Sequence, residues 1–320
     1  MKLDDFAADC VDLPPLQNGE LLLETLWLSM DPAMRGWLDD RASYLPPVAL
    51  GEPVRALGLA RVIRSASPRV AVGQVLRGFV GWQERLVTQD SLAWEIIEDS
   101  PDFPLQSRLG VLGMTGMTAW VGMKDIARVQ PTDTVVVSAA AGAVGSVAAQ
   151  IAKAAGARVV GVAGGPEKCR LLEETLGLDA SVDHRADDWR QQLIDATPEG
   201  VDVNFENVGG RVLEAVIDRM NDHGRLVLCG LIDGYNAEQR PPGPSNFGKL
   251  LTKRIHLQGF IVFDHFERTA QIEAELTGML TRGQIKLFDT LTDGFDALPD
   301  TFISSFTSQH VGKLLVRIAD

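Results

Sequence analysis

The sequence predicts an α/β protein in which a doubly wound parallel sheet accompanies a separate, β-rich domain. From Thr134 onward, short β-branched apolar runs alternate with helix-forming segments, the order expected of a parallel sheet with helices on both faces. Residues 1–108 instead alternate short apolar runs with Pro and Gly turn formers, which is typical of a small antiparallel barrel or sandwich. A chain of 320 residues also favours two domains.

The predicted elements follow this division. Strands are predicted over 21–27, 58–63, 75–80, 134–139, 157–163, 201–205, 225–230 and 255–261, with helices over 143–155, 166–176, 210–220 and near 265–282. A last strand over 312–318 is expected to return to the first domain. The Pro-rich segment 240–244 predicts an ordered loop beside a nucleotide site or at a dimer-facing crossover. We therefore assign 1–108, completed by 286–320, to the β-rich domain and 109–285 to the parallel-sheet domain.

The segment from Thr134 to Gly156 has the strand–turn–helix order of a dinucleotide fingerprint. In such a turn the pyrophosphate approaches unpaired N–H groups at the helix start, and glycines leave room for it. Gly142 and Gly145 provide that room, although Ala140 takes the place of the usual first glycine. Two alternatives are a purely structural tight turn and a membrane span, which the Ala, Gly and Ser content disfavours.

The end of the second predicted strand indicates which dinucleotide is bound. NAD-binding units place an acidic residue about 20 positions beyond the glycines to hold the ribose hydroxyls. Here the strand ends in Gly164 and Gly165 without an acid at its tip, and Lys168 follows where it can meet a 2′-phosphate. NADP(H) is therefore favoured over NAD(H). Glu167 leaves NAD(H) open, and a solvated residue in a helix's first turn is the alternative interpretation of Lys168.

Composition excludes several classes of partner. A net charge of −13 and a pI near 4.9 leave no positive surplus for nucleic acid or anionic lipid. Three scattered cysteines without a C-x-x-C pair suit a reducing compartment. The acidic N-terminus does not resemble a secretory signal. We expect a soluble, cytoplasmic protein without nucleic-acid or membrane partners.

Several motifs recur in one order along almost the whole chain. They are LSMDPAMRG at 28–36, GWQE at 81–84, GMTGMTAW at 113–120, AAAGAVG at 139–145, FENVGG at 205–210, YN at 235–236 and VGK at 311–313. With these motifs the chain resembles the zinc-independent medium-chain dehydrogenase/reductase superfamily. The match is to the branch of leukotriene B4 12-hydroxydehydrogenase, prostaglandin reductase and plant double-bond reductases.

The resemblance implies a Rossmann domain inserted in a GroES-like substrate domain, with the active site between them and usually a homodimer paired through the last Rossmann strands. It implies NADPH-dependent reduction of the carbon–carbon double bond of small apolar α,β-unsaturated aldehydes and ketones. The implied cofactor contacts are Gly142, Ala143, Val144 and Gly145 at the pyrophosphate, Lys168 at the 2′-phosphate and Asn207 near the nicotinamide ribose. Relatives generally carry a further strand ahead of the position of Met1.

Departures from the family pattern affect three predicted contacts. His184, next to Arg185, stands where the family has a Tyr that touches the 2′-phosphate; it could serve the same charge or only cap a strand. His310 replaces an Asn on the nicotinamide side and is counted among the cofactor contacts. Ala33 replaces the Tyr of the family's D-P-Y-M-R, which predicts a wider substrate pocket. Asp31 and Arg35 of the same motif are interpreted as structural.

The numbers and positions of the Cys and His residues argue against a zinc site. A catalytic zinc site of the related alcohol dehydrogenases needs Cys and His ligands in the first domain. No His precedes His184, and Cys10 is the only cysteine before residue 109. A structural four-Cys lobe is impossible with three cysteines. We therefore expect no metal, and the enzyme must polarise its carbonyl in another way.

Reduction of an enone needs a hydrogen-bond donor at the carbonyl oxygen, where negative charge builds as hydride reaches the β-carbon. Tyr235 is our candidate, because it follows a predicted strand at the edge where ligands gather in open α/β sheets and matches the family's Tyr-Asn position. The ribose hydroxyl is the family's other donor, and a surface-loop tyrosine is the alternative interpretation. Ala33, Tyr44 and Trp82 are predicted to line the substrate pocket. Met114, Met117 and Trp120 would line an apolar channel or belong to the core.

Three functions fit these residues. The first is an NADPH-dependent alkenal/enone reductase, and the second is an NADPH-dependent quinone oxidoreductase of the same superfamily. Relative turnover of enones and quinones separates the two. The third is a catalytically silent NADPH-binding protein, against which Tyr235, Gly142, Gly145 and Lys168 argue.

Overall fold

The computed structural model describes residues 1–41, 43–98, 100–237, 239, 241–307 and 310–319. The chain separates into two compact units, Met1–Leu109 with Asp289–Asp320, and Gly110–Phe288. Arg240, with which the expected Pro-rich loop begins, lies outside the described residues. In the described part of the chain, no helix combines the length and apolar character needed to cross a membrane.

The strands and helices are as follows. The strands are β1 (Glu20–Met30), β2 (Leu57–Ser65), β3 (Val75–Phe79), β4 (Arg85–Gln89), β5 (Glu95–Ile97), β6 (Thr134–Ser138), β7 (Arg158–Ala163), β8 (Ala180–Asp183), β9 (Val201–Glu206), β10 (Met220–Leu228), β11 (His256–Gly259), β12 (Asp289–Asp293) and β13 (Lys313–Arg317). The helices are α1 (Met34–Trp37), α2 (Met114–Trp120), α3 (Ala143–Ala154), α4 (Pro166–Arg170), α5 (Trp189–Ala196), α6 (Gly210–Arg219), α7 (Gly248–Thr252), α8 (Thr269–Thr281) and α9 (Leu298–Ser304). π-helical turns at Val121–Ala127 and Leu171–Thr175 continue α2 and α4.

The first unit is built on one sheet in the order β12-β13-β1-β2-β3-β5, with β4 also paired to β1. These pairs are antiparallel except β12–β13, which is parallel. Leu28 of β1 lies opposite Val316 of β13, so the last strand returns to the first unit as predicted. Alternate residues of β1, such as Leu21 and Leu23, are buried and begin the unit's core.

The second unit contains a parallel sheet in the order β11-β10-β9-β6-β7-β8. This order confirms the predicted doubly wound sheet. Val135 and Val137 of β6 are fully buried, as expected of a central parallel strand. The chain runs outward from β6 to one side and from β9 to the other, so the topological switch point lies between β6 and β9. Ligands of open α/β sheets bind at the carboxyl ends of the strands at this point.

Candidate active site

The turn between β6 and α3 brings a helix N-terminus close to the switch point. Gly142 is the N-cap of α3, and its N–H donates to the Ala139 carbonyl at 2.9 Å. A Cβ on Gly145 would lie 2.3 Å from that same carbonyl oxygen, so only glycine lets the helix pack so near the strand. The N–H groups of Ala143, Val144 and Gly145 are in the first turn, where an α-helix supplies no internal acceptor. The turn therefore presents backbone N–H groups that are free of helical acceptors and available to an anion.

Three cationic side chains, Lys168, Arg185 and Arg211, and the imidazole of His184 gather around the tip of β7. A Cβ on Gly164 would lie 2.8 Å from Nε of Arg185 and 2.9 Å from Nε2 of His184, so both side chains rest against this turn. Burial, and then the charge of Arg185, lower the pKa of Lys168 from its ordinary value. Burial and the charges of Arg185 and Arg211 likewise lower the pKa of His184. Burial and the neighbouring arginines therefore disfavour the charged forms of Lys168 and His184, and an anion bound beside them would offset that cost.

The loop that carries His184 and Arg185 is braced from two sides. Oδ1 of Asp183 accepts hydrogen bonds from the N–H groups of Gly165 at 2.7 Å and Arg185 at 3.0 Å. Nη2 of Arg211 donates to the His184 carbonyl at 2.6 Å. The Arg211 guanidinium also lies 5.3 Å from the ring centroid of Trp189, within the range of cation–π attraction. Sequence reasoning missed Arg211 and Trp189, because neither belongs to the strand tip or to the glycine motif.

Asn207 lies directly across the switch point from the end of β6. Its side-chain Nδ2 donates to the Ser138 carbonyl at 2.7 Å, and its backbone N–H donates to Ser138 Oγ at 2.7 Å. The bonds hold Asn207 beside the strand that leads into the Ala139 turn. Gly142, Gly145 and Asn207 are thus brought to one edge of the sheet.

Tyr235 borders an open pocket of about 460 Å³ at the carboxyl ends of β10 and β11. Its hydroxyl accepts a hydrogen bond from the Leu231 N–H at 3.5 Å. A Cβ on Gly230 would lie 3.3 Å from the Asn207 carbonyl oxygen and 3.4 Å from the Tyr235 hydroxyl, which places that hydroxyl close to the Asn207 turn. Burial raises the pKa of Tyr235. The phenol is therefore protonated at neutral pH and able to donate.

Cys229 also lines this pocket. Burial, and then the neighbouring Glu206 carboxyl, raise the pKa of its thiol to about 12. A thiol with this pKa stays neutral and is a poor nucleophile. The pocket therefore offers a phenol as its polar donor rather than a reactive thiolate.

The remaining predicted site residues belong to the first unit. Ala33 precedes α1 and packs against the core of that unit. The Tyr44 ring contacts Trp37 edge-on at 6.3 Å between ring centroids. Trp82 packs against Phe6 and Phe302 in an aromatic cluster, and half-buried His310 precedes β13. Their parts in substrate or cofactor binding stay predictions.

Asp31 forms an ion pair with a buried lysine from a distant part of the chain. Its Oδ1 pairs with Nζ of Lys313 at 2.6 Å, and the Lys313 side chain is only 3% exposed. Arg35 instead pairs with Asp39 at 2.6 Å, so the two charges of the first motif do not pair with each other. The ion pair joins the D-P-A-M-R and V-G-K motifs, which lie far apart in the chain.

The last residues to place are those predicted for an apolar channel, and the last question is whether side chains are grouped for a metal ion. Met117 and Trp120 are buried in the second unit at 3% and 4% exposure, with Arg268 lying 4.8 Å from the ring centroid of Trp120. Their positions fit core packing. Within the described ranges, no three His, Cys, Asp or Glu side chains are grouped so that they could hold a metal ion.

The chain is similar to known oxidoreductases over nearly its whole length. Residues 1–96 match the family model described as N-terminal domain of oxidoreductase, and residues 143–278 match the one described as zinc-binding dehydrogenase. The chain is 41% identical over 322 residues to the NADPH-dependent curcumin reductase of Escherichia coli, covering 99% of this chain and 92% of that protein. It is 34% identical over 307 residues to the NADP(+)-dependent 2-alkenal reductase of Nicotiana tabacum, covering 95% and 89%. The crystal structure of CurA in complex with NADPH from Vibrio vulnificus superposes with a TM-score of 0.93 at 39% identity, covering 98% of this chain and 94% of that one.

Proposed function

Since the chain belongs to the zinc-independent medium-chain dehydrogenase/reductase superfamily, in its prostaglandin reductase and double-bond reductase branch, we propose that it is an NADPH-dependent enone reductase. It reduces the carbon–carbon double bond of α,β-unsaturated aldehydes and ketones. The observation that carries the proposal is the cationic cluster at the tip of β7, in a chain whose relatives are named as NADP-dependent reductases of curcumin and 2-alkenals.

The described residues fit NADPH at two places. The turn over 139–145 offers the N–H groups of Ala143, Val144 and Gly145 to a pyrophosphate, and a side chain at Gly145 would collide with that turn. Lys168 and Arg185 offer positive charge to a 2′-phosphate, and the imidazole of His184 beside them offers a hydrogen bond. Burial opposes the charged forms of Lys168 and His184. Asn207 and His310 are assigned to the nicotinamide side. When bound, NADPH supplies the hydride that the β-carbon of the substrate receives.

Tyr235 is the proposed donor to the substrate carbonyl. Its phenol is half-buried beside an open pocket and stays protonated at neutral pH. A donor aimed at the oxygen where negative charge develops stabilises the enolate that forms there, and one such donor contributes about 10²–10³ in kcat. Ala33, Tyr44 and Trp82 are assigned to the walls of the substrate pocket. The small Ala33 side chain favours bulky, aryl-bearing enones.

A homodimer is the proposed assembly. The edge strand β11 has no neighbour on its outer side in the sheet order of the described residues, and all its residues are exposed. Leu251 and Phe247 nearby are 81% and 59% exposed. An exposed strand edge with large apolar neighbours favours pairing with another chain, and a second copy supplies the matching edge. Light scattering at micromolar protein concentration tests whether the chain is a dimer. A cytoplasmic location is also proposed.

The experiment that tests the function follows NADPH and NADH oxidation at 340 nm against a linear 2-alkenal, a cyclic enone, an aryl enone and a quinone. We expect NADPH to be oxidised with the enones and the products to be the saturated carbonyls by mass. Turnover of the quinone alone would identify a quinone oxidoreductase. Tight NADPH binding without turnover would identify a silent cofactor-binding protein.

A further inference from the structure

The side chain of Glu206 is completely buried at the carboxyl end of β9, next to the switch point. Its Oε1 accepts hydrogen bonds from the N–H groups of Val208 and Gly209, both at 2.7 Å, and from Ser138 Oγ at 3.0 Å. Its Oε2 accepts from Nδ2 of Asn204 at 3.1 Å. One carboxyl oxygen therefore ties the end of β6 to the turn that follows β9.

The turn over residues 206–209 also holds the segment that leads to Tyr235. The Asn207 carbonyl accepts from the N–H of Ile232 at 3.1 Å, and the Val208 carbonyl accepts from the N–H of Asp233 at 3.0 Å. The Tyr235 N–H then donates to the Ile232 carbonyl at 3.2 Å. The position of Tyr235 therefore follows the position of the turn over 206–209.

We propose that Glu206 is a positioning residue, whose Oε1 fixes the Asn207 turn and through it places the Tyr235 hydroxyl for donation to the substrate. This inference rests on the proposed role of Tyr235. Glu206 itself touches neither substrate nor cofactor, since its side chain has no exposed surface and its polar neighbours are Ser138, Asn204 and backbone N–H groups.

The required property is the acceptor at Oε1 rather than a negative charge. Burial raises the pKa of Glu206, while the surrounding hydrogen bonds oppose that shift. A proton on Oε2 leaves Oε1 as a carbonyl oxygen that accepts the same three bonds. The Oδ1 atom of Asn204 has no hydrogen-bond partner among the described residues, and it can accept that proton if the amide turns. An amide at position 206 therefore preserves the network, whereas an apolar side chain leaves the Val208 and Gly209 N–H groups unpaired.

The test compares E206Q and E206M in the full enzyme with an aryl enone. We expect E206Q to keep kcat within about twofold of wild type, because it retains Oε1. We expect E206M, which has similar length but no acceptor, to lower kcat by about 10- to 100-fold through misplacement of the donor. In a Y235F background the effect of E206M should fall below about threefold, since no phenol remains to be misplaced. Where E206M does not fold, E206D retracts the acceptor by one methylene and is measured in the same two backgrounds.

The matched control is the buried carboxylate of Asp133 at the opposite end of the same sheet. Asp133 is 7% exposed and accepts from the Gln130 N–H at 2.7 Å and from Nη2 of Arg225 at 2.6 Å. We expect D133L to lower the melting temperature and leave kcat unchanged in both backgrounds. The inference would be overturned if the decreases in kcat caused by E206M and Y235F multiplied in the double variant. It would also be overturned if E206Q lowered kcat as much as E206M does. Unchanged kcat in Y235F alone would instead remove Tyr235 as the donor, and the inference with it.

Discussion

Replacing Lys168 by Met tests whether the cationic cluster at the tip of β7 binds the 2′-phosphate of NADPH. Met keeps the apolar stem and the length of the side chain but removes the ammonium group. Lys168 is half-buried at the start of α4, and burial together with Arg185 lowers its pKa. A lysine under this penalty gains most from an anionic partner, because the anion compensates both the burial and the charge of Arg185.

The expected magnitude follows from one charge-assisted hydrogen bond. Such bonds contribute about 1.5–3 kcal/mol, which corresponds to about 10- to 150-fold in an equilibrium constant. Arg185 and His184 remain in K168M, so the lower half of that range is expected. The KM for NADPH should therefore rise by about 10- to 40-fold, whereas the KM for NADH should change by less than about twofold because NADH carries no 2′-phosphate.

The assay measures initial rates at 340 nm with saturating enone and varied NADPH or NADH. K249M is the matched control, since Nζ of Lys249 pairs with Asp218 at 2.6 Å and its side chain is 45% exposed. K249M should leave both Michaelis constants unchanged. Equal increases for NADPH and NADH in K168M would refute the assignment, because they would show that Lys168 acts on a feature common to both cofactors.

Two further predictions concern the cofactor turn and the first unit. G145A should weaken NADPH binding measured by calorimetry and lower stability by about 1–3 kcal/mol, because its Cβ would lie 2.3 Å from the Ala139 carbonyl oxygen. G248A, with open space around residue 248 at the start of α7, should leave NADPH binding unchanged and should not lower stability. Burial raises the pKa of Asp289 from 3.8 to about 6, so the folded state binds this proton more tightly than the unfolded state and stability falls as pH rises from about 4 to 6. D289N should therefore raise the melting temperature by about 2–4 °C at pH 7 and leave it unchanged at pH 4. The control D293N, which loses an exposed ion pair with Arg317, should show no such pH dependence. Equal shifts for D289N at both pH values would contradict the raised pKa of Asp289.

Local sequence signals were sufficient for the centre of the parallel sheet. The buried β-branched run of β6, the small-residue turn and the Ala-rich α3 lie next to one another in the chain, so their order is legible without knowledge of tertiary contacts. The strand predicted over 225–230 begins in the structure at Met220. Regular pairing resumes only at Arg225, because the register shifts between these residues and His223 has a φ of 62°.

Elements defined by their neighbours escaped prediction. β12 reads Asp-Thr-Leu-Thr-Asp and has no apolar run, yet it forms a strand because Thr290 pairs opposite Leu314 of β13. β8 is short and ends in a charged residue, and it is a strand through its parallel pairing with β7. Pairing across a sheet supplies the backbone partners that composition alone does not indicate.

The sequence likewise predicted some residues of the candidate site and missed others. Gly142, Gly145 and Lys168 could be found from the sequence, since each role depends on a short segment. The hydrogen bond from Arg211 to the His184 carbonyl and the one from Ser138 Oγ to Glu206 Oε1 join residues that meet only when strands align. The motif Phe205–Gly210 was recognised, but the function of its glutamate depends on β9 lying beside β6.

Deuterium transfer from labelled NADPH shows which carbon of the substrate receives the hydride. NADPH carrying deuterium at the transferable C4 position is incubated with the enzyme and an aryl enone, and the product is analysed by mass spectrometry and NMR. Hydride transfer to the β-carbon of the enone predicts a saturated ketone with one deuterium on that carbon. Deuterium on the carbonyl carbon of an allylic alcohol, or oxidation of NADPH without labelled product, would contradict it.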